Sequence, residues 1–336
     1  MPSQVPRIAV IIPSNHDQHE LLIIVNAVCI QTIKPAEILI VDTSVDRDLI
    51  PKKIMELCSQ SGIQLIYEKR EHAFPGHARN ICLRRTNSDW IAFIDVQTIA
   101  RPNWLETSID LIKKNGATGA FGATSFSAES IFERLVRDGF HGVLPRKTLP
   151  GSIFRRDVFC KVGQFIDWVR AGEDTEWMMR LELFKINIVQ PPSALADYVG
   201  LIGIDLKTLL KKWYRNYMAS RDLPQFFPHK LLLWLVLYPL LILIAFNWNF
   251  LIADWHMDSP FYIGHVTKSV ALFPVLLYVI LRGLVLPISR GVSIRSLLPI
   301  RFLGITLICF ITDLMKVLVF SLPRRKNSTV DKLDDN

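Results

Sequence analysis

Five charged side chains stand where an alternating strand–helix protein would hold a ligand: Asp42, Arg79, Asp95, Glu173 and Asp174. Asp95 follows Trp90-Ile91-Ala92-Phe93-Ile94, an apolar run that reads as a short strand buried on both faces. In open α/β sheets ligands bind at the carboxyl ends of strands, so a carboxylate there can reach a bound ligand or a metal ion. Asp42 closes Glu37-Ile38-Leu39-Ile40-Val41 in the same way, a placement that suits a ribose hydroxyl or a base N–H. Arg79 lies at the start of a helical stretch, and a guanidinium there suits an anion. Glu173 and Asp174 open a further helix, whose macrodipole favours acidic residues in its first turn. Each position also has a plain structural reading: a turn cap for Asp42 and Asp95, a helix-surface residue for Arg79, a dipole partner for the acidic pair.

The elements around these residues alternate. Strands are expected at 7–13, 37–41, 63–67, 90–94 and 117–126, with helices at 18–31, 49–61 and 76–86 between them. Such alternation predicts an α/β domain with a mainly parallel sheet and right-handed crossovers. No GxGxxG follows the first strand, where Pro13-Ser14-Asn15-His16-Asp17 stands instead, and no Walker A loop is present. Dinucleotide binding therefore loses its main support. The phosphates of any nucleotide must be held by a metal ion or by basic side chains. Residues 138–150, rich in Gly, Pro and basic groups, read as a mobile loop.

The 336 residues suffice for one large domain or two ordinary ones. A net charge of +8 comes without a nucleic-acid motif, so no nucleic-acid partner is expected and membrane lipids with anionic headgroups are the better partner. Five scattered cysteines show no metal-ligand spacing and read as free thiols of a reducing compartment. The first residues lack a basic region followed by an apolar core, so no secretory signal is expected.

Ile8–Pro13, Val41-Asp42-Thr43-Ser44, Gly76-His77-Ala78-Arg79-Asn80, Phe93-Ile94-Asp95 and Gly172-Glu173-Asp174 occur in the order and spacing of the family 2 glycosyltransferases, which the chain resembles over about residues 7–190. The resemblance implies a GT-A fold and transfer of a sugar from a nucleotide-diphosphate donor with inversion at the anomeric carbon. It implies that Pro13 and Ser14 close the first strand over the nucleotide, that Asp42 meets the base or ribose, and that Arg79 lies near the base or the phosphates. Asp95 and Gln97 fall on the donor-diphosphate motif, Asp174 on the general base, and Glu173 on a residue that orients the acceptor. Two departures matter. Asn15-His16 replaces the family's Tyr-Asn, and Gln97 replaces the second Asp of Asp-x-Asp. A neutral amide is a poorer ligand for a hard dication, so Asp95 remains the one candidate ligand for Mg²⁺ or Mn²⁺ and metal use is left open.

The carboxylate pair bears on the acceptor, because a hydroxyl needs a base whereas a lipid phosphate is already anionic. A hydroxyl on a lipid-linked or surface glycan is thus expected, one sugar per event. Transfer to polyprenyl phosphate, and a non-catalytic relative that binds nucleotide sugar or lipid, are the alternatives. Residues 1–200 form the expected catalytic domain, 201–228 an amphipathic interfacial helix and linker, 229–325 a membrane region and 326–336 a polar tail. Spans are expected at 231–253 and 269–289, the second carrying an Arg282 that must snorkel or pair. The apolar stretch 297–322 is expected to lie in the interface or re-enter, since a third crossing would put Arg324-Arg325-Lys326 outside. The same charge asymmetry predicts an integral membrane protein with its catalytic domain on the cytosolic face.

Overall fold

The computed structural model describes residues 6–15, 18–44, 50–221, 223, 240, 244, 246–264 and 266–322. Most of the 231–253 segment and the tail after Leu322 lie outside the described residues. The chain divides into two compact units, one of residues 1–133 and 143–205 and one of 134–142 and 206–336.

The first unit is built on a mixed sheet. Strands β1 (Ile8–Ser14), β2 (Glu37–Asp42), β3 (Gln64–Lys69) and β4 (Trp90–Phe93) are followed by β5 (Thr98–Ala100), β6 (Gly119–Phe126), β7 (Arg146–Arg155), β8 (Ile188–Val189) and β9 (Ala196–Tyr198). Their order is β3-β2-β1-β4-β7-β6-β9-β5, with β8 beside β6. The first four are parallel, as the alternation predicted, while β7 runs antiparallel to both β4 and β6. Helices α1 (Gln18–Cys29), α2 (Lys52–Gln60), α3 (Pro75–Arg85) and α4 (Trp104–Asn115) connect the strands.

The apolar runs become strands because both sheet faces are covered. Val10, Ile12, Ile38 and Ile40 pack with α1 and α4, whereas Ala9, Ile11, Leu39 and Phe93 pack with α3 and with Phe154, Phe159, Phe165 and Trp177. This second cluster is aromatic. Phe93 lies 5.5 Å from Phe165, edge to face, and Phe159 stacks on Trp177 at 5.0 Å. It joins the end of β4 to the short helix α6 (Asp157–Val162) and to α7 (Glu173–Leu183).

Of residues 138–150, only 141–145 form a loop. Helix α5 (Ile131–Phe140) covers the first of them and β7 begins at Arg146. Pro150 is absorbed by an irregularity: register with β6 shifts between Ala120 and Gly122, opposite Pro150. A Cβ at Gly122 would lie 2.1 Å from the Pro150 carbonyl oxygen, so only glycine fits this crossing. Lys147 pairs with Glu182.

In the second unit, α8 (Leu206–Ser220) is an amphipathic helix with Leu209 buried and Lys207, Lys211 and Arg215 exposed. Two further helical stretches, Leu272–Ser289 and Arg301–Ser321, are long and apolar enough to cross a membrane. The first holds Pro274 and a π-helical turn at Leu281–Val285, features that bend a helix. Arg282, at that turn, pairs with Asp313 through Nη2 at 2.6 Å and Nε at 2.8 Å, and Tyr278 donates to the same carboxylate at 2.9 Å. The arginine thus pairs rather than snorkels.

Candidate functional site

The site gathers at the carboxyl ends of the parallel strands. Ser14 and Asp42 face each other in the β1–β2 register, and Asp95 sits two residues past β4. Helix α3 starts with Pro75 at its first turn, where a missing N–H costs nothing, and this places Arg79 one turn in. Gly76 allows the close approach that follows. A Cβ there would lie 2.0 Å from the Ile166 carbonyl oxygen and 3.2 Å from Glu173 Cγ.

Asn80 fixes the facing loop. Its Nδ2 donates to the Phe165 carbonyl at 2.8 Å, and its Oδ1 accepts from the Phe165 N–H at 3.0 Å. Trp177 Nε1 donates to the Gly163 carbonyl at 2.9 Å. With residues 163–166 held in this way, α7 begins against α3, and Gly172 makes the entry turn at φ 93°, a conformation that favours glycine.

Arg79 is the centre of this arrangement. Nη1 donates to Glu173 Oε1 at 2.6 Å and Nη2 to Asp95 Oδ1 at 2.9 Å. Its side chain is 3% exposed, against 5% for Glu173 and 36% for Asp95. Its guanidinium carbon lies 5.6 Å from the centre of the Phe165 ring. Nε is buried and has no hydrogen-bond partner. Burial works against the arginine's charge, but Asp95, Glu173 and Asp174 overcome it and hold the guanidinium above its ordinary range. For Glu173 the balance differs. Burial, then the neighbouring Asp174, push its carboxyl up to about 7, while Arg79 pulls the other way.

Asp174 is half-buried and its Oδ1 accepts from the Thr175 N–H at 2.7 Å. That same oxygen also accepts from the Thr175 hydroxyl at 3.3 Å, and the residue sits in the first turn of α7 beside Glu173. Chemically, the cluster offers one carboxylate positioned to take a proton, one guanidinium aimed at anions, and a carboxylate at the strand end.

The remaining expected residues are placed as follows. Ser14 is buried and its hydroxyl is without a hydrogen-bond partner. Pro13 pairs with Val41 in the sheet. Asp42 is buried, its oxygens accepting from the Ser44 N–H at 3.0 Å, the Ser44 hydroxyl at 3.0 Å and the Tyr67 hydroxyl at 2.9 Å. It caps the turn after β2, which is the structural role its sequence position allowed. Gln97 Oε1 accepts from the Tyr198 hydroxyl at 3.1 Å. Tyr67, Phe165 and Tyr198 were not singled out in the sequence as site residues, because no local spacing links them to Asp42, Arg79 or Gln97. Asn80 and Gly76 did carry a signal, lying in the same five-residue motif as Arg79.

No group of three or more His, Cys, Asp or Glu side chains suited to a metal ion exists among the described residues. Asp95 is the carboxylate just past the end of β4, with one oxygen already on Arg79, Asp42 at the end of β2 is taken up by Ser44 and Tyr67, and the Gln97 amide oxygen accepts from Tyr198. This donor set does not build a resident metal site. It does fit a dication that takes most of its oxygen ligands from a bound diphosphate and water, as Mg²⁺ commonly does.

Residues 9–166 match the glycosyl transferase family 2 model. A search of curated proteins finds no significant match. Among solved structures, the mannosyltransferase PcManGT from Pyrobaculum calidifontis, in complex with GDP-Man and Mn²⁺, aligns over 100% of this chain and 89% of its own, with a TM-score of 0.50 and 13% identity. S. aureus TarS 1–349 in complex with UDP aligns over 94% of this chain and 89% of its own, with a TM-score of 0.46 and 13% identity. The described sheet and the alignment with PcManGT give a GT-A fold.

Proposed function

This chain belongs to glycosyl transferase family 2 through its residues 9–166, and from that premise we propose that it is a membrane-anchored inverting enzyme that moves one sugar from a nucleotide diphosphate to a hydroxyl of a lipid-linked or surface glycan. As a glycosyltransferase it leaves the non-catalytic reading behind. The observation that carries the proposal is the Asp95–Arg79–Glu173 chain of contacts with Asp174 beside it.

Asp174 takes the proton of the acceptor hydroxyl as that oxygen attacks the anomeric carbon. The new C–O bond forms on the face opposite the breaking bond to diphosphate, so the configuration inverts. A sugar hydroxyl is a weak nucleophile at neutral pH, and a positioned carboxylate supplies what it lacks. Ser14 and Asp42 serve the nucleoside end of the donor, and Arg79 its phosphates. Glu173 is assigned a different task from the acceptor-orienting one its sequence position suggested. Its carboxylate is buried on Arg79, so it positions the guanidinium toward Asp95.

A divalent cation, Mg²⁺ or Mn²⁺, would be held by Asp95 and the donor's own phosphates and would offset charge on the leaving diphosphate. Gln97 contributes its amide oxygen only if Tyr198 releases it. The apolar helices of the second unit favour a membrane anchor, and with it an acceptor carried on a lipid, with the catalytic unit on the cytosolic side.

The test uses purified full-length protein in detergent with a panel of nucleotide sugars. Donor-dependent thermal stabilisation identifies the nucleotide sugar by mass action. Asp174→Asn is then expected to retain that stabilisation and lose transfer. Unchanged transfer by this variant would remove the base assignment.

A further inference from the structure

The helix Arg301–Ser321 has 21 residues and at ~1.5 Å per residue is about 31 Å long. Length and composition let it cross a bilayer. What packs along it does not. At its first turns it meets residues 134–142, a segment that leaves and rejoins the first unit in the chain. Arg301 pairs with Asp138 at 2.6 Å, Leu135 lies against Gly304, and Gly139 against Ile305 and Cys309. At its far end it meets the cationic helix α8. Tyr214 and the side chains Ile311, Leu314, Leu318 and Leu322 line an open apolar groove of about 330 Å³. Lys316 Nζ lies 5.9 Å from the centre of the Tyr217 ring.

Both ends of the helix are therefore flanked by charged, amphipathic segments. Charged segments at the two ends suit a crossing helix as well, but α8 packs along residues 311–322, from the middle of the helix onward, so a crossing helix would hold α8 at hydrocarbon depth. Helix α8 exposes Lys207, Lys211 and Arg215, and hydrocarbon would not accept them.

The charges of the helix itself agree. Arg301, Asp313 and Lys316 all point to protein partners: Asp138, Arg282 with Tyr278, and Tyr217. Away from these charges the helix carries a charge-free stripe of exposed Leu303, Leu307, Phe310, Leu314 and Leu318, with Phe310 edge-on to Tyr278 and Leu314 and Leu318 bordering the Tyr214 groove. Just before the helix, exposed Ile294, Leu298 and Ile300 accompany exposed Arg295. An apolar stripe bordered by cations is the pattern of a helix lying in a headgroup region. Its contacts with the 272–289 helix fall on Tyr278, Arg282 and Gly283, at and before the π-helical turn.

We propose that the Arg301–Ser321 helix lies in the plane of an anionic leaflet, stripe down, without crossing it, and that α8 lies beside it with its lysines at the headgroups. This rests on the membrane anchoring proposed above and specifies it: the basic Arg324-Arg325-Lys326 tail then stays on the face that holds the catalytic unit.

Cys160, exposed and unpaired in the first unit, supplies an internal reference. Full-length protein in sealed right-side-out and inverted vesicles is treated with a membrane-impermeant maleimide, once as wild type and once as Asn327→Cys in a Cys160→Ser background. The expected result is that both cysteines label in the same vesicle orientation. Labelling of the tail from the opposite face, or only after detergent, overturns the in-plane placement while leaving the anchor intact. Release of the protein from vesicles by carbonate would instead overturn the anchor.

Discussion

Glu173→Gln tests the balance at the centre of the site. In the folded protein the Glu173 carboxyl is pushed from 4.5 up to about 7, by burial first and then by Asp174, and that value already includes the pull of Arg79. A carboxyl whose folded value lies above its unfolded one binds its proton more tightly when folded. Its contribution to stability is complete below pH 4.5 and is lost as pH rises through about 7. At ~1.4 kcal/mol per pH unit, the loss across that window is roughly 3 kcal/mol.

Glutamine has nearly the same shape and never ionises, so the variant escapes this loss. It also keeps an amide oxygen to accept from Arg79, whose charge remains balanced by Asp95 at 2.9 Å. The expected outcome is near-equal stability at pH 4.5 and a relative gain for the variant of roughly 3 kcal/mol by pH 8. For a domain of this size that corresponds to roughly 6–12 °C in Tm. Differential scanning fluorimetry of both proteins in detergent, from pH 4.5 to 8.5, reads it directly. Parallel curves would refute the reasoning. A variant less stable at pH 8 would refute it more sharply, because the ion pair with Arg79 would then outweigh burial. Transfer by the variant should fall even where stability rises, since Arg79 loses the charge that positions it.

Asp174→Asn should lower kcat by about 10²–10⁴-fold with donor affinity retained, as expected for loss of a general base; isothermal titration with donor separates binding from turnover. Asp95→Ala should weaken donor binding and turnover together, whereas Gln97→Asp should lower the Mg²⁺ or Mn²⁺ concentration needed for half-maximal transfer, both measured by titrating metal into EDTA-stripped enzyme. Gly76→Ala should destabilise the catalytic unit by about 1–3 kcal/mol through overpacking, because the new methyl meets the Ile166 carbonyl oxygen; a variant of unchanged Tm would show that the loop at 163–172 gives way freely.

The strands could be read from the sequence because a parallel sheet buried on both faces demands continuous apolar runs, and Ile8–Ser14, Glu37–Asp42 and Trp90–Phe93 are such runs. The first half of β7, residues 146–150, could not, because Pro150 and the Gly151 that follows are strand breakers that only a register shift against Gly122 can accommodate. Within the site, spacing picked out Arg79 and Glu173 separately. Their contact joins residues 94 apart and depends on Asn80 gripping Phe165, on Gly76 and on the aromatic packing of Trp177. None of those leaves a periodic trace. The partner of Arg282 was hidden for the same reason: Asp313 lies 31 residues on, and only the packing of two helices brings them together.

The charges of the described site argue for a cation despite Gln97. Asp95, Glu173 and Asp174 stand against the single guanidinium of Arg79, so the cluster is anionic before any donor arrives. A nucleoside diphosphate brings further negative charge to the same strand ends. Raising the Glu173 carboxyl to about 7 relieves part of this repulsion near neutral pH, while Asp95 stays paired with Arg79. On the proposed reading, another positive charge would offset the diphosphate as it binds and leaves. The unpaired Nε of Arg79 offers one more hydrogen bond but no more charge. A dication carried in with the donor would supply that charge without a prebuilt three-carboxylate site, and on the proposed reading Gln97 in place of an aspartate would then alter metal affinity rather than the chemistry.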